Sequence, residues 1–479
     1  MRGNDHEWRH DTAHCDSCAI SLALGLFSAY SIRRGVSGRK KDGRRVYLPL
    51  SYYGALPIVL VVGGAAAKLM LGDDADPMLF TNLFSIFVSL TVYYVLLALL
   101  MPWLRRRISS WACGALWLVP NVLYILARDN MRLPAPLLVI KTSEGLMSAL
   151  LGVWFAGFLL IMAWKTAEHL LFRRRVLRNA EKLKVPLWDE VFAQVCPNRN
   201  RPPLYRSAEV RAPLTIGLFA GNRVVVLPVR DYTDEELRLV LMHEAVHITR
   251  FDAVSKLGLV SIAAFCWFNP LVWLAMRRSA DDIELSCDEA VTLGAGEAER
   301  RRYADLILSS AGDERGFTTC LSARASSLRY RLRQIMKPAA KRSGALLIGF
   351  AAFFLILGCG HIAFAYGGGT GEELIFGGQD TSLYTVSDGS CTDPEGLKDY
   401  VASLELMELT EEYDFDLDGV RHRVIVFDAP GDQGKQISVD FYDNIVEFRP
   451  LFIKLNHWAE YYYLPAGTDR ELLDSFFEP

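Results

Sequence analysis

The sequence predicts a multi-pass α-helical membrane protein carrying a cytoplasmic α+β domain and a small extracytoplasmic α+β domain. Three observations predict it. Hydrophobic residues make up 51% of the 479-residue chain and gather into long runs. Basic and acidic loops alternate between those runs. The motif H-E-x-x-H stands at residues 243–247, in the long stretch between the fifth and sixth runs.

The membrane elements come first. A helix needs about 20 apolar residues to cross a hydrocarbon core of roughly 30 Å. Tyr47–Leu71, Leu79–Leu104, Leu146–Trp164 and Ala345–Tyr366 approach or exceed that length. Ala19–Ile32 is short, and Trp111–Ala127 carries Pro120 and Asn121. Positive charge in short loops marks the cytoplasmic side. Arg33–Arg45 is basic, Gly72–Pro77 acidic, Arg105–Arg107 basic and Arg128–Gly145 mixed, and Arg173–Arg175, Arg178, Lys182 and Lys184 follow the fifth run.

That alternation predicts an outside N-terminus and about five crossings over residues 1–165. A cytoplasmic domain at 166–343, a last transmembrane helix at 344–366 and an extracytoplasmic domain at 367–479 follow. If both weak runs fail to span, residues 166–343 remain inside; if only one fails, the N-terminus changes sides. The first run has no small-residue cleavage site and precedes Arg33 and Arg34, so it reads as uncleaved. The nine cysteines stand singly apart from Cys15 and Cys18, which is no disulfide framework. Residues 367–479 carry seven Lys and Arg against 24 Asp and Glu, a balance of −17 that leaves +14 for the rest of a chain totalling −3. The acidic excess either serves an outside ligand or only keeps that domain soluble.

The cytoplasmic segment holds the chemistry. Thr233 and Glu236 form a capping box that predicts a helix start. Leu237, Leu241, Glu244 and Ile248 then follow at helical spacing. On that helix His243 and His247 fall on one face, one turn apart, where their nitrogens converge on a single ion. Zinc accepts neutral imidazole nitrogen at about 2.0–2.1 Å. Glu244 lies roughly 100° round from His243, placed to hold water without being a ligand. The bland alternative is a helix with two solvated histidines. A metal site needs a third ligand, and Glu284 in IELSCDEAV (283–291) is the candidate. Asp288, one turn later, and Asp252 either orient the ligating histidines or form ordinary surface ion pairs.

Between the histidines and Glu284 lies an apolar span, 256–278. Crossing once would carry Glu284 some 30 Å from the histidines. Asn269-Pro270 inside the span would break a straight helix. Arg250 and Lys256 at one end, with Arg277 and Arg278 at the other, fit both ends staying inside. The expectation is a helical hairpin or bent helix lying against the membrane surface. Ahead of the motif, TIGLFAGNRVVVLP (215–228) reads as strand, turn at Gly221-Asn222, and strand. Its edge either binds an extended peptide or is an ordinary structural hairpin.

APLTIGLFAGNRVVVLP, HEAVHITRFD, WFNPLVW and ELSCDEAV occur in the order and approximate spacing of the BlaR/MecR-type antirepressor metallopeptidases, which the sequence resembles over roughly 150–365. The resemblance implies an integral-membrane zinc endopeptidase with a gluzincin-like cytoplasmic domain. It implies zinc held by His243, His247 and Glu284, with Glu244 as catalytic acid/base. It also implies a signalling role, in which an outside ligand activates the enzyme and a cytoplasmic repressor protein is inactivated. The best-known members end in a penicillin-binding sensor with S-x-x-K. No S-x-x-K stands in 367–479, so the extracellular ligand is left unknown.

The remaining motifs are weaker. GGGTG (367–371) reads as a flexible linker. RHRVIVFDA (421–429) and KQISVDFYD (435–443) read as paired strands. DFDLDG (414–419) resembles the start of a calcium loop, but its twelfth position is Ile425 rather than Glu, so an Asp-rich turn is the better reading. Trp458 and Tyr461–Tyr463 line a groove or belong to a core. His10, His14, Cys15 and Cys18 could hold a metal but have no fold around them. The polar segment 311–328 is a candidate self-cleavage site.

Zinc-assisted peptide hydrolysis, with Glu244 moving the proton, is thus the expected activity. The expected partners are a cytoplasmic repressor and membrane lipid, with no direct nucleic-acid binding. Two rivals remain open: a housekeeping protease, whose activity would survive loss of 367–479, and a receptor with a structural zinc, in which Glu244→Gln would be silent.

Overall fold

A computed structural model describes residues 61–65, 68, 75–122, 138–196, 201–218, 220–310, 325–337, 341–342, 344–357, 362–387, 389–410, 423–429, 436–451 and 460–477. The His10–Cys18 cluster, the first apolar run, most of Tyr47–Leu71, the calcium-like turn, Trp458 and most of 311–328 lie outside them.

In chain order the elements are α1 (Ala75–Leu104), α2 (Ser110–Leu116), β1 (Leu138–Lys141), α3 (Glu144–Arg178), β2 (Glu181–Leu183), α4 (Pro186–Val195), β3 (Leu204–Ser207), β4 (Leu214–Ile216) and β5 (Val224–Pro228). Helices α5 (Asp234–Arg250), α6 (Asp252–Phe265), α7 (Pro270–Val291), α8 (Glu297–Ser310), α9 (Ala325–Met336) and α10 (Ala345–Leu357) follow. Then come β6 (Ile362–Thr370), β7 (Thr385–Val386), α11 (Pro394–Ser403), β8 (Glu405–Leu409), β9 (Arg423–Asp428), β10 (Gln436–Phe441), β11 (Ile445–Leu451), β12 (Glu460–Tyr463) and α12 (Arg470–Ser475).

The chain forms two compact units. One contains Ile86–Ala127 and Trp154–Cys359; the other contains Gly64–Ser85, Arg128–Val153 and Gly360–Pro479.

The first unit carries a four-stranded sheet in the order β2-β3-β5-β4, antiparallel except for the β3–β5 pair. Helix α5 packs beside it in a core that includes Trp188, Phe192, Val225, Leu241, Ala245, Tyr303 and Ile335. Its N-terminus is the predicted capping box, Thr233 and Glu236 exchanging hydrogen bonds. It ends at Phe251, the one non-glycine with positive φ among the described residues, at φ 58°. That left-handed residue costs free energy for a bulky side chain and turns the chain sharply into α6. The guanidinium of Arg223 covers its ring at 5.2 Å.

The apolar span between the histidines and Glu284 is a hairpin. Helix α6 stops at Phe265, and α7 restarts at Pro270 with the Asn269 side chain accepting from the Leu271 N–H at 3.0 Å. Proline at the first helical position loses no hydrogen bond there. Helix α7 then returns Glu284 toward α5.

Among the described residues two helices, Asp76–Leu104 and Glu144–Arg178, are long and apolar enough to cross a membrane. Leu99, Trp103, Leu160 and Trp164 on them are exposed. Two expected crossings look different. Trp111–Ala127 begins with the seven-residue helix α2, fully buried, and passes into a short 3-10 turn at Val119–Val122 around Pro120, which lacks the N–H that a continuous helix needs. The predicted helix 344–366 is helical over Ala345–Leu357, but Ile362–Tyr366 belongs to β6. An apolar run does not by itself separate helix from strand.

The second unit is an eight-stranded sheet in the order β1-β6-β8-β12-β11-β10-β9-β7. The strands at 421–429 and 435–443 appear as β9 and β10, paired antiparallel. The supposed linker GGGTG is not a linker: Gly367–Thr370 completes β6, with a register shift between Tyr366 and Gly369, and Gly371 opens a helical turn. Gly371 packs against the Val401 carbonyl too closely for any side chain. Tyr462 is buried in the core with Phe376, Phe427, Val439 and Phe441. Strand β1 pairs in parallel with β6, Leu138 opposite Ile362.

Candidate metal centre

The corner at Phe251 and the turn at Cys266–Asn269 bring three donors together. The Nε2 atoms of His243 and His247 are 3.0 Å apart. Glu284 Oε2 is 3.8 Å from the first and 3.5 Å from the second. Donors held about 2.1 Å from a tetrahedral ion lie about 3.4 Å apart, so this triangle fits one. The other Glu284 oxygen accepts from Lys256 Nζ at 2.7 Å, while Oε2 is buried and accepts no hydrogen bond. A buried carboxylate oxygen without a hydrogen bond is costly unless a cation meets it, a protonated His247 at 3.5 Å or a metal ion in its place.

The histidines are held from behind. His247 Nδ1 is 2.7 Å from Asp252 Oδ2. His243 Nδ1 is 2.8 Å from the hydroxyl of Tyr303, which donates to Asp288 Oδ1 at 2.8 Å. Since that hydroxyl proton goes to Asp288, His243 must donate its own Nδ1–H, leaving Nε2 as the lone pair facing the triangle. Asp288 is thus an indirect orienter: its Oδ1 is 3.7 Å from His243 Nδ1, with Tyr303 between them. Arg331 grips Asp288 with two N–H groups, Nε to Oδ2 at 2.6 Å and Nη2 to Oδ1 at 2.7 Å.

Electrostatics follow. Burial and the neighbouring His247 push His243 well below the usual imidazole value, so it is neutral. Burial opposes charge on His247, but Cys287, Glu284 and the Asp252 hydrogen bond lift it well above that value. Burial also opposes ionisation of Glu284, yet Lys256 and His247 hold it well below the ordinary carboxylate range. Burial disfavours the Arg331 cation, and Asp288 more than offsets this.

Glu244, next to His243 on α5, is buried. Its Oε2 accepts from Thr215 Oγ1 on β4 at 2.7 Å. A second trio also exists: His243, His247 and Cys287 each place a donor atom within 4.8 Å of the others. Cys287 Sγ lies 3.5 Å from His247 Nδ1, the nitrogen already serving Asp252, and its S–H donates to Asp252 at 3.9 Å. Burial raises its thiol pKa. Glu284 Oε2, by contrast, faces both Nε2 atoms.

Sequence reasoning missed Tyr303, Arg331, Thr215 and Lys256, which come from four other places in the chain with no fixed spacing to the motif. Cys287 stood in the quoted ELSCDEAV block and its position one turn from Glu284 was the available signal.

Residues 125–335 match the family described as BlaR1 peptidase M56, and every residue of the site lies within them. Over this stretch the chain is similar to the BlaR/MecR-type membrane metallopeptidases. Similar proteins include the regulatory protein BlaR1 of Bacillus licheniformis, 27% identical over 196 residues, 40% of this chain and 32% of the relative. The methicillin resistance mecR1 protein of Staphylococcus aureus is 28% identical over 105 residues, 21% of this chain and 18% of the relative. The regulatory protein BlaR1 of Staphylococcus aureus is 24% identical over 161 residues, 32% of this chain and 27% of the relative. The chain therefore spans about a third or less of the length of these BlaR/MecR-type relatives.

Proposed function

We propose that this chain is a multi-pass zinc endopeptidase of the cytoplasmic membrane that transduces an extracellular signal by cleaving a cytoplasmic repressor protein, with its own 311–328 segment as a second substrate. The observation that carries the reading is the triangle of His243 Nε2, His247 Nε2 and Glu284 Oε2, a buried oxygen that accepts no hydrogen bond. Two imidazoles and one carboxylate are a donor set that suits zinc and leaves a coordination position open.

When bound, zinc supplies Lewis acidity that polarises a peptide carbonyl and makes water a better proton donor. His243, His247 and Glu284 hold it. Asp252 and the Tyr303–Asp288–Arg331 chain keep the two rings aimed inward. Glu244 accepts a proton at its carboxylate and returns it to the leaving amine. Thr215, donating to Glu244 Oε2, orients that carboxylate.

Sidedness is supported by the second unit. It joins the Gly64–Ser85, Arg128–Val153 and Gly360–Pro479 stretches, which include the loops that the charge pattern assigns to the outside. Residues paired in one sheet, such as Leu138 and Ile362, must share a side of the membrane. A signalling role is favoured over housekeeping because the outer sheet takes β1 from the loop immediately before α3. The similar proteins, a regulatory protein and a methicillin resistance protein, favour the same reading.

The test is Glu244→Gln in the full chain. Zinc content should stay near one per chain while cleavage of a co-expressed repressor and of the chain itself falls by about a thousandfold or more. Unchanged cleavage would refute the assignment. A variant that signals normally without any cleavage would favour a receptor with structural zinc.

A further inference from the structure

We propose that residues 257–276 form a re-entrant hairpin whose tip, at Cys266–Asn269, reaches the mid-depth of the bilayer, with Phe268 and Leu274 facing lipid acyl chains. This rests on the membrane reading above and differs from a hairpin lying on the surface.

The tip is fastened to the centres of two candidate membrane helices. Asn269 Nδ2 donates to Thr91 Oγ1 at 2.8 Å, and the Phe268 and Phe87 rings meet edge-on at 4.9 Å. Trp154 Nε1 donates to the Phe265 carbonyl at 2.8 Å, and Trp267 Nε1 to the Trp154 carbonyl at 3.3 Å. A methyl group at Gly157 would strike the Trp267 ring, so the glycine permits this approach. Thr91 is the middle of the apolar run Leu79–Leu104, and Trp154 is near the middle of Leu146–Trp164.

The other end gives an independent ruler. Arg105, just past the end of α1, makes two hydrogen bonds to Asp282 on α7 at 3.0 and 2.9 Å. Thirteen residues separate Thr91 from Leu104, and thirteen separate Asn269 from Asp282, each about 20 Å of helix. Helix α7 is thus tied at both ends to the second half of α1 and covers the same interval in the same direction, from mid-membrane to the cytoplasmic end.

Charge agrees with that depth. No Asp, Glu, Lys or Arg occurs from Leu257 to Met276. Lys256 is ten residues before Cys266, and Arg277 is eight after Asn269. These are about 15 and 12 Å of helix, close to half of a hydrocarbon core of roughly 30 Å. Phe268 and Leu274 are 46% and 39% exposed, as are several large apolar side chains of α1, Leu96, Leu99 and Trp103 among them. The irregular backbone at Cys266–Asn269 is packed against protein, as non-helical backbone at membrane depth requires. Glu284 then lies seven residues past Arg277, about 10 Å beyond the inner face, so peptide bonds offered to the site must come close to the inner leaflet.

The test uses the full chain in vesicles of phosphatidylethanolamine and phosphatidylglycerol, with reactive native cysteines replaced. Spin labels at Phe268→Cys and Arg277→Cys report depth through relaxation by oxygen and by a water-soluble nickel chelate. The 268 label should be accessible to oxygen and shielded from nickel, and the 277 label the reverse. Phe268→benzoylphenylalanine, which needs no cysteine changes, should give phospholipid photoadducts. A 268 label as nickel-accessible as the 277 label, in protein that still binds zinc, would overturn the re-entrant hairpin and leave the peptidase reading intact. Labelling of Glu297→Cys by an impermeant maleimide from outside would mean a single crossing and would overturn both.

Discussion

The hydroxyl of Tyr303 stands 2.8 Å from His243 Nδ1, and its own proton is committed to Asp288. One motif histidine is therefore positioned by a helix sixty residues further along the chain. Tyr303→Phe removes the acceptor that fixes the His243 tautomer. Loss of a group that orients a ligating histidine typically lowers metal affinity about 10- to 100-fold. Competition against a chelator of known affinity measures this in purified full chain; wild-type affinity in the variant would show that His243 needs no such support.

Arg331 makes a different prediction, for folding. It pairs with Asp288 where both are buried. Arg331→Leu would leave an uncompensated buried carboxylate, at a cost of about 3–5 kcal/mol. Arg331→Lys keeps the charge but not the two-pronged contact, and should recover part of the loss. Thermal unfolding monitored in detergent should rank the proteins wild type, Lys, Leu. Equal transitions in all three would mean that the contact adds nothing to stability.

The choice between third donors is also testable. Glu284→Gln removes the carboxylate facing both Nε2 atoms, and zinc affinity should fall by about two orders of magnitude or more. Cys287→Ser, on the Nδ1 side of His247, should change it only a few-fold. The reverse ranking would assign the third position to the thiol.

These contrasts mark what a sequence can reveal. His243, Glu244 and His247 are legible because helical spacing fixes their relation locally. Glu284 is legible as a candidate only if the 256–278 span turns back, and Asn269-Pro270 supplies the break. Asp252 follows the motif closely, but its approach to His247 depends on the left-handed Phe251, which no propensity favours. Tyr303 and Arg331 are invisible because tertiary packing of α8 and α9 brings them in. Ala345–Tyr366 misleads because apolarity is shared by a helix and by the start of β6, and GGGTG misleads because glycines also finish a strand at a bulge.

The pH dependence of metal binding follows from His247. Its folded-state pKa is raised well above the imidazole value of about 6.5, so a proton must leave before Nε2 can hold an ion. The sign is therefore positive. Affinity should rise about tenfold per pH unit below the raised pKa and level off above it. For the metal-free protein the raised pKa acts in the opposite sense. The charged ring stabilises the fold fully below about pH 6.5, and that contribution is lost as pH rises through the folded-state value. Glu284, whose pKa is depressed, contributes above the ordinary carboxylate value and loses its contribution only as pH falls through its folded-state value, well below that. Zinc titrations between about pH 6 and 8, with unfolding of the metal-free protein over the same range, check both signs. Affinity that stays flat across that interval would mean His247 is already neutral before the ion arrives.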